Sequence, residues 1–212
     1  MRKKRLTKKR SNTKKNVLLW KLRFFIALML LVAISLLHYD QGNANSAPTM
    51  PTQNQSIPTI VVNISEQKLY LHEAGKPIIT YPISSSKYGL GSKAGSNKTP
   101  LGQHRIVQKI GDGAPEGIIF KGRVNTGFFA EINGKNVGDL VTSRILWLEG
   151  LEEGKNKGAG IDSYSRYIYI HGTAEENLIG QPASHGCIRM YNKDVIDLFD
   201  RVSEGTLVDI KI

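Results

Sequence analysis

The chain has 212 residues, a formal net charge of +11 at pH 7, five histidines and one cysteine. Eleven of its 29 Lys and Arg fall in residues 1–23, which contain no Asp or Glu, so the rest of the chain sets 18 basic against 18 acidic residues. That neutral remainder gives no support for a nucleic-acid-binding domain, and a lone cysteine excludes an intramolecular disulfide framework.

Residues 1–23 form a basic tail that alone could mimic a nucleic-acid-binding arm. The apolar segment beside it decides against that. Phe24 to Leu37 is an apolar run of fourteen, and extension back to Val17 gives twenty-one residues interrupted by Lys21 and Arg23. Long cationic side chains near the basic end can snorkel to the headgroups. The extended length suits a membrane-spanning helix of roughly 20 residues, and the shorter core suits a signal peptide. Residues 24–39 are therefore read as a transmembrane anchor or signal segment. Basic residues before the run put the N-terminus in the cytoplasm and the rest of the chain outside. An uncleaved anchor is the favoured reading. Cleavage after Ala44-Asn45-Ser46, releasing a periplasmic form that begins at Ala47, is the alternative.

Residues 40–57 are Gly, Asn, Gln, Ser, Thr and Pro with few large apolar side chains, and they read as a flexible linker. Residues 58–212 are long enough for one domain with its own core. Thr59–Ile64 and Lys68–His72 predict a hairpin, and Ala74-Gly75 marks a turn before a strand at Pro77–Ile83. Residues 84–100 read as a long polar loop. Further strands are predicted at Gln103–Ile110, Gly117–Phe120 and Arg166–Ile170, the last leading directly to His171. Asn192 is the expected N-cap of a helix carrying Val195, Ile196, Leu198, Phe199 and Val202 on one face, with Asp194 in its first turn and Gly205 beyond its end. Thr206–Ile212 alternates as a last strand. The fold class is mainly β with one or two helices, a sandwich or barrel rather than an alternating α/β fold.

The chemistry concentrates around the cysteine, in Ser184-His185-Gly186-Cys187-Ile188-Arg189. A thiol attacks well only as thiolate, and a nearby imidazole can take its proton. His171 and His185 are both candidates for that base. Gly186 permits a backbone conformation that a β-carbon hinders, and it can aim the amides of Gly186 and Cys187 at a developing oxyanion. Attack on an amide carbonyl would give a thioester, hence acyl transfer to water or an amine.

His171-Gly172-Thr173 followed by Ser184-His185-Gly186-Cys187-Ile188-Arg189 resembles the signature of the L,D-transpeptidases with a YkuD-type catalytic domain. Ile60-Val61-Val62-Asn63 with Gln67–Leu71 resembles that family's first hairpin, and Thr99-Pro100-Leu101-Gly102 its Thr-Pro-x-Gly turn. The resemblance implies a β-sandwich-like catalytic domain over 58–212 acting on peptidoglycan stem peptides. It implies Cys187 as nucleophile, attacking the diaminopimelate–D-Ala bond of a tetrapeptide, and His171 as base, with the Gly172 carbonyl orienting its ring. Ser184, His185 and Gly186 would support the nucleophile turn. Arg189 would bind a substrate carboxylate or tie the loop down. The amine acceptor would be a second stem peptide, a lipoprotein lysine or a free amino acid. Only twelve residues separate His171 from Ser184, somewhat fewer than is usual in that family, and residues 122–160 match none of its segments.

Rival readings are a hydrolase passing the same thioester to water, a non-catalytic wall-binding module, and a metal site of His171, His185 and Cys187, whose spacing fits no usual zinc pattern. No metal and no cofactor are expected. Trp147, Phe128 and Phe129 are read as core rather than lid, and Tyr164, Tyr167 and Tyr169 as alternating strand packing. His38, His72 and His104 are read as surface or satisfied core histidines.

Overall fold

The computed structural model describes residues 57–134 and 138–212. The basic tail, the apolar segment and all but the last residue of the linker lie outside the described residues. Among the described residues, no helix is long and apolar enough to cross a membrane.

The first three strands, β1 (Thr59–Asn63), β2 (Lys68–Glu73) and β3 (Lys76–Ser84), form an antiparallel meander. Their period-2 pattern turns Ile60, Val62, Leu69, Leu71, Tyr81 and Ile83 into the core. Ala74 and Gly75 have φ of 49° and 74° and close the β2–β3 hairpin, as two-residue turns that match strand twist require. Residues 85–101 hold no strand, in line with the predicted loop. Strands β4 (Gly102–Ile110) and β5 (Ile118–Lys121) follow as expected.

Four strands differ from the sequence reading: three are unexpected and one is shifted. β6 (Val124–Phe129) and β7 (Val141–Gly150) lie within residues 122–160, where no strand was expected. β7 is buried from Thr142 to Leu148, so it lacks the alternation that reveals a half-exposed strand. The strand expected at 166–170 instead becomes β8 (Tyr169–Gly172). Tyr167 has φ of 58°, which ends the preceding turn rather than extending a strand. A short, unexpected β9 (Ile188–Met190) runs parallel to β8, and β10 (Leu207–Lys211) runs parallel to β1.

All ten strands share one sheet, ordered β4-β10-β1-β2-β3-β9-β8-β7-β5-β6, with β4 also paired to β7. The circuit from β4 through β10 to β7 therefore closes on itself. Of the expected alternatives, sandwich or barrel, the ladder forms one continuous sheet.

Helix α1 (Asn192–Arg201) buries Val195, Leu198 and Phe199 against the core, and the following Val202 joins them. Each such side chain contributes roughly 1.5–3 kcal/mol relative to exposure. The N-cap is Tyr191, not Asn192, and no side-chain cap bond is made there. Asn192 is the first helical residue, and its side chain turns inward instead. Glu176 Oε1 accepts the Asn192 N–H at 2.8 Å, placing an anion at the positive helix end. At the other end, Lys109 Nζ donates to the carbonyls of Phe199 and Val202, each at 2.6 Å. The helix stops before Gly205, which sits in the turn to β10 with φ of 90°.

Candidate active site

Register decides which side chains meet. Ile145 and Trp147 on β7 pair with His171 and Tyr169 on β8, and His171 pairs with Arg189 on β9. Cross-strand partners point to the same face. Leu146, Leu148, Ile170, Ile188 and Met190 point the other way, into the main core. Cys187, one residue before β9, falls on the His171 face and packs against the cluster of Ile118, Phe120, Ile145, Trp147 and Tyr169. The two side chains expected to carry the chemistry are thus diagonal neighbours on adjoining strands.

His171 is buried. Its Nδ1 lies 2.7 Å from the Gly172 carbonyl oxygen. A carbonyl only accepts, so Nδ1 carries the proton and Nε2 is left as the basic nitrogen. Burial pushes the imidazole below its ordinary pKa, against the opposing pull of Asp139 and the Gly172 bond. Glycine is required at 172 for space as well. A Cβ there would lie 2.5 Å from Asn192 Oδ1 and 2.7 Å from the Thr142 carbonyl oxygen. Asn192 anchors this neighbourhood. Its Oδ1 accepts the Thr142 and Ser143 hydroxyls at 2.6 Å each, and its Nδ2 donates to the Thr173 carbonyl at 2.9 Å.

Cys187 is half-buried. Its Sγ accepts the Tyr169 N–H and donates to the Tyr167 carbonyl, both at 3.4 Å. Burial pushes the thiol up to about 12, although the Tyr169 bond works the other way. The resting pair is therefore a neutral thiol and a neutral imidazole. The turn before it is held from two sides. Ser184 Oγ donates to the Cys187 carbonyl at 2.6 Å, and Thr99 Oγ1 donates to the Gly186 carbonyl at 3.1 Å. Gly186 has φ of 125°, a conformation L side chains rarely adopt. Its N–H is directed back to Ser184 Oγ at 3.3 Å, into the turn rather than toward a prospective oxyanion.

His185 and Arg189 converge on a residue the sequence did not single out. Asp139 Oδ2 lies 2.6 Å from His185 Nδ1 and accepts the His185 backbone N–H at 3.1 Å. Asp139 Oδ1 accepts Arg189 Nε at 2.8 Å, and Glu175 Oε2 accepts Arg189 Nη1 at 2.8 Å. Arg189 is only 1% exposed. Of its two possible roles, substrate binding and tying the loop, the geometry supplies the tie, because both faces of its fork already meet carboxylates. Burial alone would raise the Asp139 carboxyl. His171, once protonated at acid pH, together with Arg189 and the bonds from His185 and Arg189, outweighs burial and holds it below the usual range. A cavity of about 370 Å³ opens beside this cluster, lined in part by Lys87, Glu175 and His185. Nothing in the local sequence marks Asp139, since a lone acid among Gly, Asn and Val is ordinary for a loop. Among the described residues, no group of three His, Cys, Asp or Glu is arranged to hold a metal.

The aromatic expectations need correction. Trp147 is buried, but Phe128 and Phe129 are 73% and 61% exposed on β6 and belong to no core. Of the three tyrosines, only Tyr169 lies on a strand. Tyr164 stacks on Trp147 at a 4.2 Å centroid separation, while Tyr167 lies tilted at 5.7 Å. The Trp147 indole N–H bonds the Tyr164 carbonyl at 3.1 Å, and residues 164–167 form a turn outside the sheet. His104 is a satisfied core histidine, held by the Gly102 carbonyl and Ser163 Oγ.

The L,D-transpeptidase catalytic domain family, YkuD, matches residues 57–210. The chain is 30% identical over 163 residues to the probable L,D-transpeptidase YcfS of Escherichia coli, covering 71% of this chain and 43% of that protein. It is 29% identical over 153 residues to the putative L,D-transpeptidase YkuD of Bacillus licheniformis, covering 71% of this chain and 64% of that one. The chain thus spans less than two thirds of these relatives' length. Among solved structures, L,D-transpeptidase 3 from Mycobacterium tuberculosis, in complex with a faropenem-derived adduct, aligns with a TM-score of 0.46. That alignment has 16% identity and covers 73% of this chain and 60% of the other.

Proposed function

The chain belongs to the YkuD family of L,D-transpeptidase catalytic domains, and from that premise we propose that it is a peptidoglycan L,D-transpeptidase acting through Cys187. The donor is a tetrapeptide stem, and the bond broken is that between diaminopimelate and the terminal D-Ala. His171 Nε2 takes the thiol proton as Cys187 Sγ attacks the carbonyl carbon. Collapse of the tetrahedral intermediate returns that proton to the departing D-Ala nitrogen and leaves a thioester. An amine then attacks the thioester, gives its proton to His171 and releases the thiol. The acceptor is a second stem peptide, a lipoprotein lysine or an amino acid.

The observation that carries this reading is the shared face of Cys187 and His171, with the Gly172 carbonyl fixing the proton on Nδ1. A base held in one tautomer by a rigid strand is the arrangement general-base activation of a thiol needs. The basic tail and apolar segment support a position outside the inner membrane, tethered to it, where the wall substrate is found.

The test is mass spectrometry of muropeptides incubated with the purified full chain. Transfer gives cross-linked or amine-exchanged products with release of D-Ala, whereas passage to water gives tripeptides alone and would replace the transferase reading with the hydrolase. Cys187→Ala should abolish every product while preserving the circular dichroism spectrum. Retained turnover would end the thioester mechanism. A carbapenem should add covalently at Cys187, seen as an intact-mass shift absent from that variant.

A further inference from the structure

The β5–β6 hairpin turns through Gly122 and Arg123, with φ of 56° and 70°. Both central positions of such a turn need positive φ, and glycine or asparagine normally fills them. An arginine there holds a conformation its β-carbon disfavours. Strained side-chain-bearing residues cluster where a site needs a group in one place.

The place is the wall beside the nucleophile. The Arg123 guanidinium lies 4.7 Å from the centroid of Trp147 and 5.0 Å from that of Tyr167. Its Nη1 donates to the Tyr169 hydroxyl at 3.2 Å. Trp147 and Tyr169 belong to the cluster on which Cys187 packs, and the Tyr169 N–H bonds the sulfur. Tyr169 thus links the two, its backbone N–H bonding the sulfur and its hydroxyl the guanidinium.

Its charge is held but not neutralised. Arg105, Arg189 and Arg201 each pair with a carboxylate. Among the described residues, no carboxylate lies within ion-pair distance of Arg123. Ring faces and one neutral hydroxyl leave most of its five donors free. It also lines a cavity of about 440 Å³ with Ile110, Asp112, Ala114, Phe120 and Asn125. Ile110, Ala114 and Phe120 belong to the hydrophobic cluster against which Cys187 also packs.

We propose that Arg123 receives the terminal carboxylate of the donor stem, the carboxylate of the departing D-Ala, and so sets the scissile carbonyl over Cys187. This rests on the function proposed above. The chemistry sets the reach required: a carbonyl carbon sits roughly 3–3.5 Å from an attacking atom, one extended residue adds about 3.3–3.6 Å, and an ion-paired carboxylate lies about 2.7–2.9 Å from its nitrogen. A planar fork on an aromatic platform suits that carboxylate better than the ammonium of lysine, which keeps the charge but not the paired donors.

The experiment compares D-Ala release from a tetrapeptide with D-alaninamide release from its C-terminal amide, using full-length wild type, Arg123→Gln and Arg123→Lys. Wild type should favour the carboxylate by roughly 10- to 100-fold in kcat/KM, the usual scale for a bond to a charged group. Arg123→Gln should erase that preference by slowing only the carboxylate substrate, and Arg123→Lys should retain part of it. Alkylation of Cys187 by neutral iodoacetamide should change little in either variant. Equal use of both substrates by wild type overturns the proposal, as does an unchanged preference in Arg123→Gln. Equal slowing on both substrates would make Arg123 a latch for the hairpin and overturn it too. Absence of any Cys187 acyl adduct or turnover in wild type would remove the underlying function and this role with it. An adduct without a carboxylate preference would remove this role alone.

Discussion

Cys187 should be a slow thiol at rest, because its surroundings stabilise the protonated form. Burial lifts it from 9.0 to about 12, and the S–H is directed at the Tyr167 carbonyl, an oxygen that a thiolate would repel. Three pKa units mean ~10³-fold less thiolate near neutral pH than in an unperturbed cysteine. The chain has one cysteine, so iodoacetamide addition read by intact mass reports this group and no other. The native protein should react ~10³-fold more slowly at pH 7.5 than the same chain unfolded in guanidinium. The unfolded rate should level off around pH 9, near the ordinary thiol pKa, while the native rate continues to climb about tenfold per pH unit. Shielding alone would lower the native curve without moving its plateau. His171→Ala should leave this resting reactivity within a few fold but lower acylation by stem peptide by ~10²-fold or more, since the base acts when the bond forms. A native plateau below pH 8 would show a preformed thiolate–imidazolium pair and refute the neutral-pair reasoning.

Three other perturbations have definite outcomes. Gly172→Ala must part β7 from β8 at the Thr142 carbonyl and disturb Asn192; urea unfolding should show a loss of about 1–3 kcal/mol, the scale of overpacking, with lower turnover, and unchanged stability would rule out the close approach. Asp139→Asn removes one of two carboxylates from the buried Arg189, and partial exposure of the pair reduces the penalty to about 1–3 kcal/mol at pH 7. The native Asp139 carboxyl titrates below its ordinary value, so its stabilisation is present above the ordinary pKa and lost as pH falls through the native one. The difference between variant and wild type should shrink below about pH 3–4, and a gap that persists there would assign it to packing. Finally, the full chain should stay with membranes through a salt wash and leave them in detergent at full-length mass, whereas a soluble product beginning near Ala47 would identify a cleaved signal.

What was legible in the sequence was whatever local pattern fixes. Alternation in β1, β2 and β10 and the spacing of Val195, Leu198, Phe199 and Val202 each report one buried face, and each element formed. The histidine and cysteine stand out because their neighbours, Gly172 and Gly186, serve backbone requirements that few residues meet. β7 was not legible because it is buried on both faces and pairs with β4, β5 and β8, so neither alternation nor a hydrophilic edge marks it. Asn192 illustrates a different limit. Capping preference is a local rule, but this side chain has buried acceptors and donors from β7, the segment after β8 and the 3-10 turn at Glu176–Leu178. Those partners outweigh the one bond that a cap would make. Asp139 and Arg123 show why the surroundings of a catalytic pair are harder to read than the pair itself. Each is an ordinary charged residue in a Gly- and Asn-rich stretch, and each acquires its position only when β7 carries the preceding hairpin and loop across the face that holds Cys187. The proposed nucleophile is written in its own neighbours, whereas Asp139 and Arg123 reach their partners across some fifty residues of chain. Their chemistry is set by topology, so it becomes visible only when strand order is known.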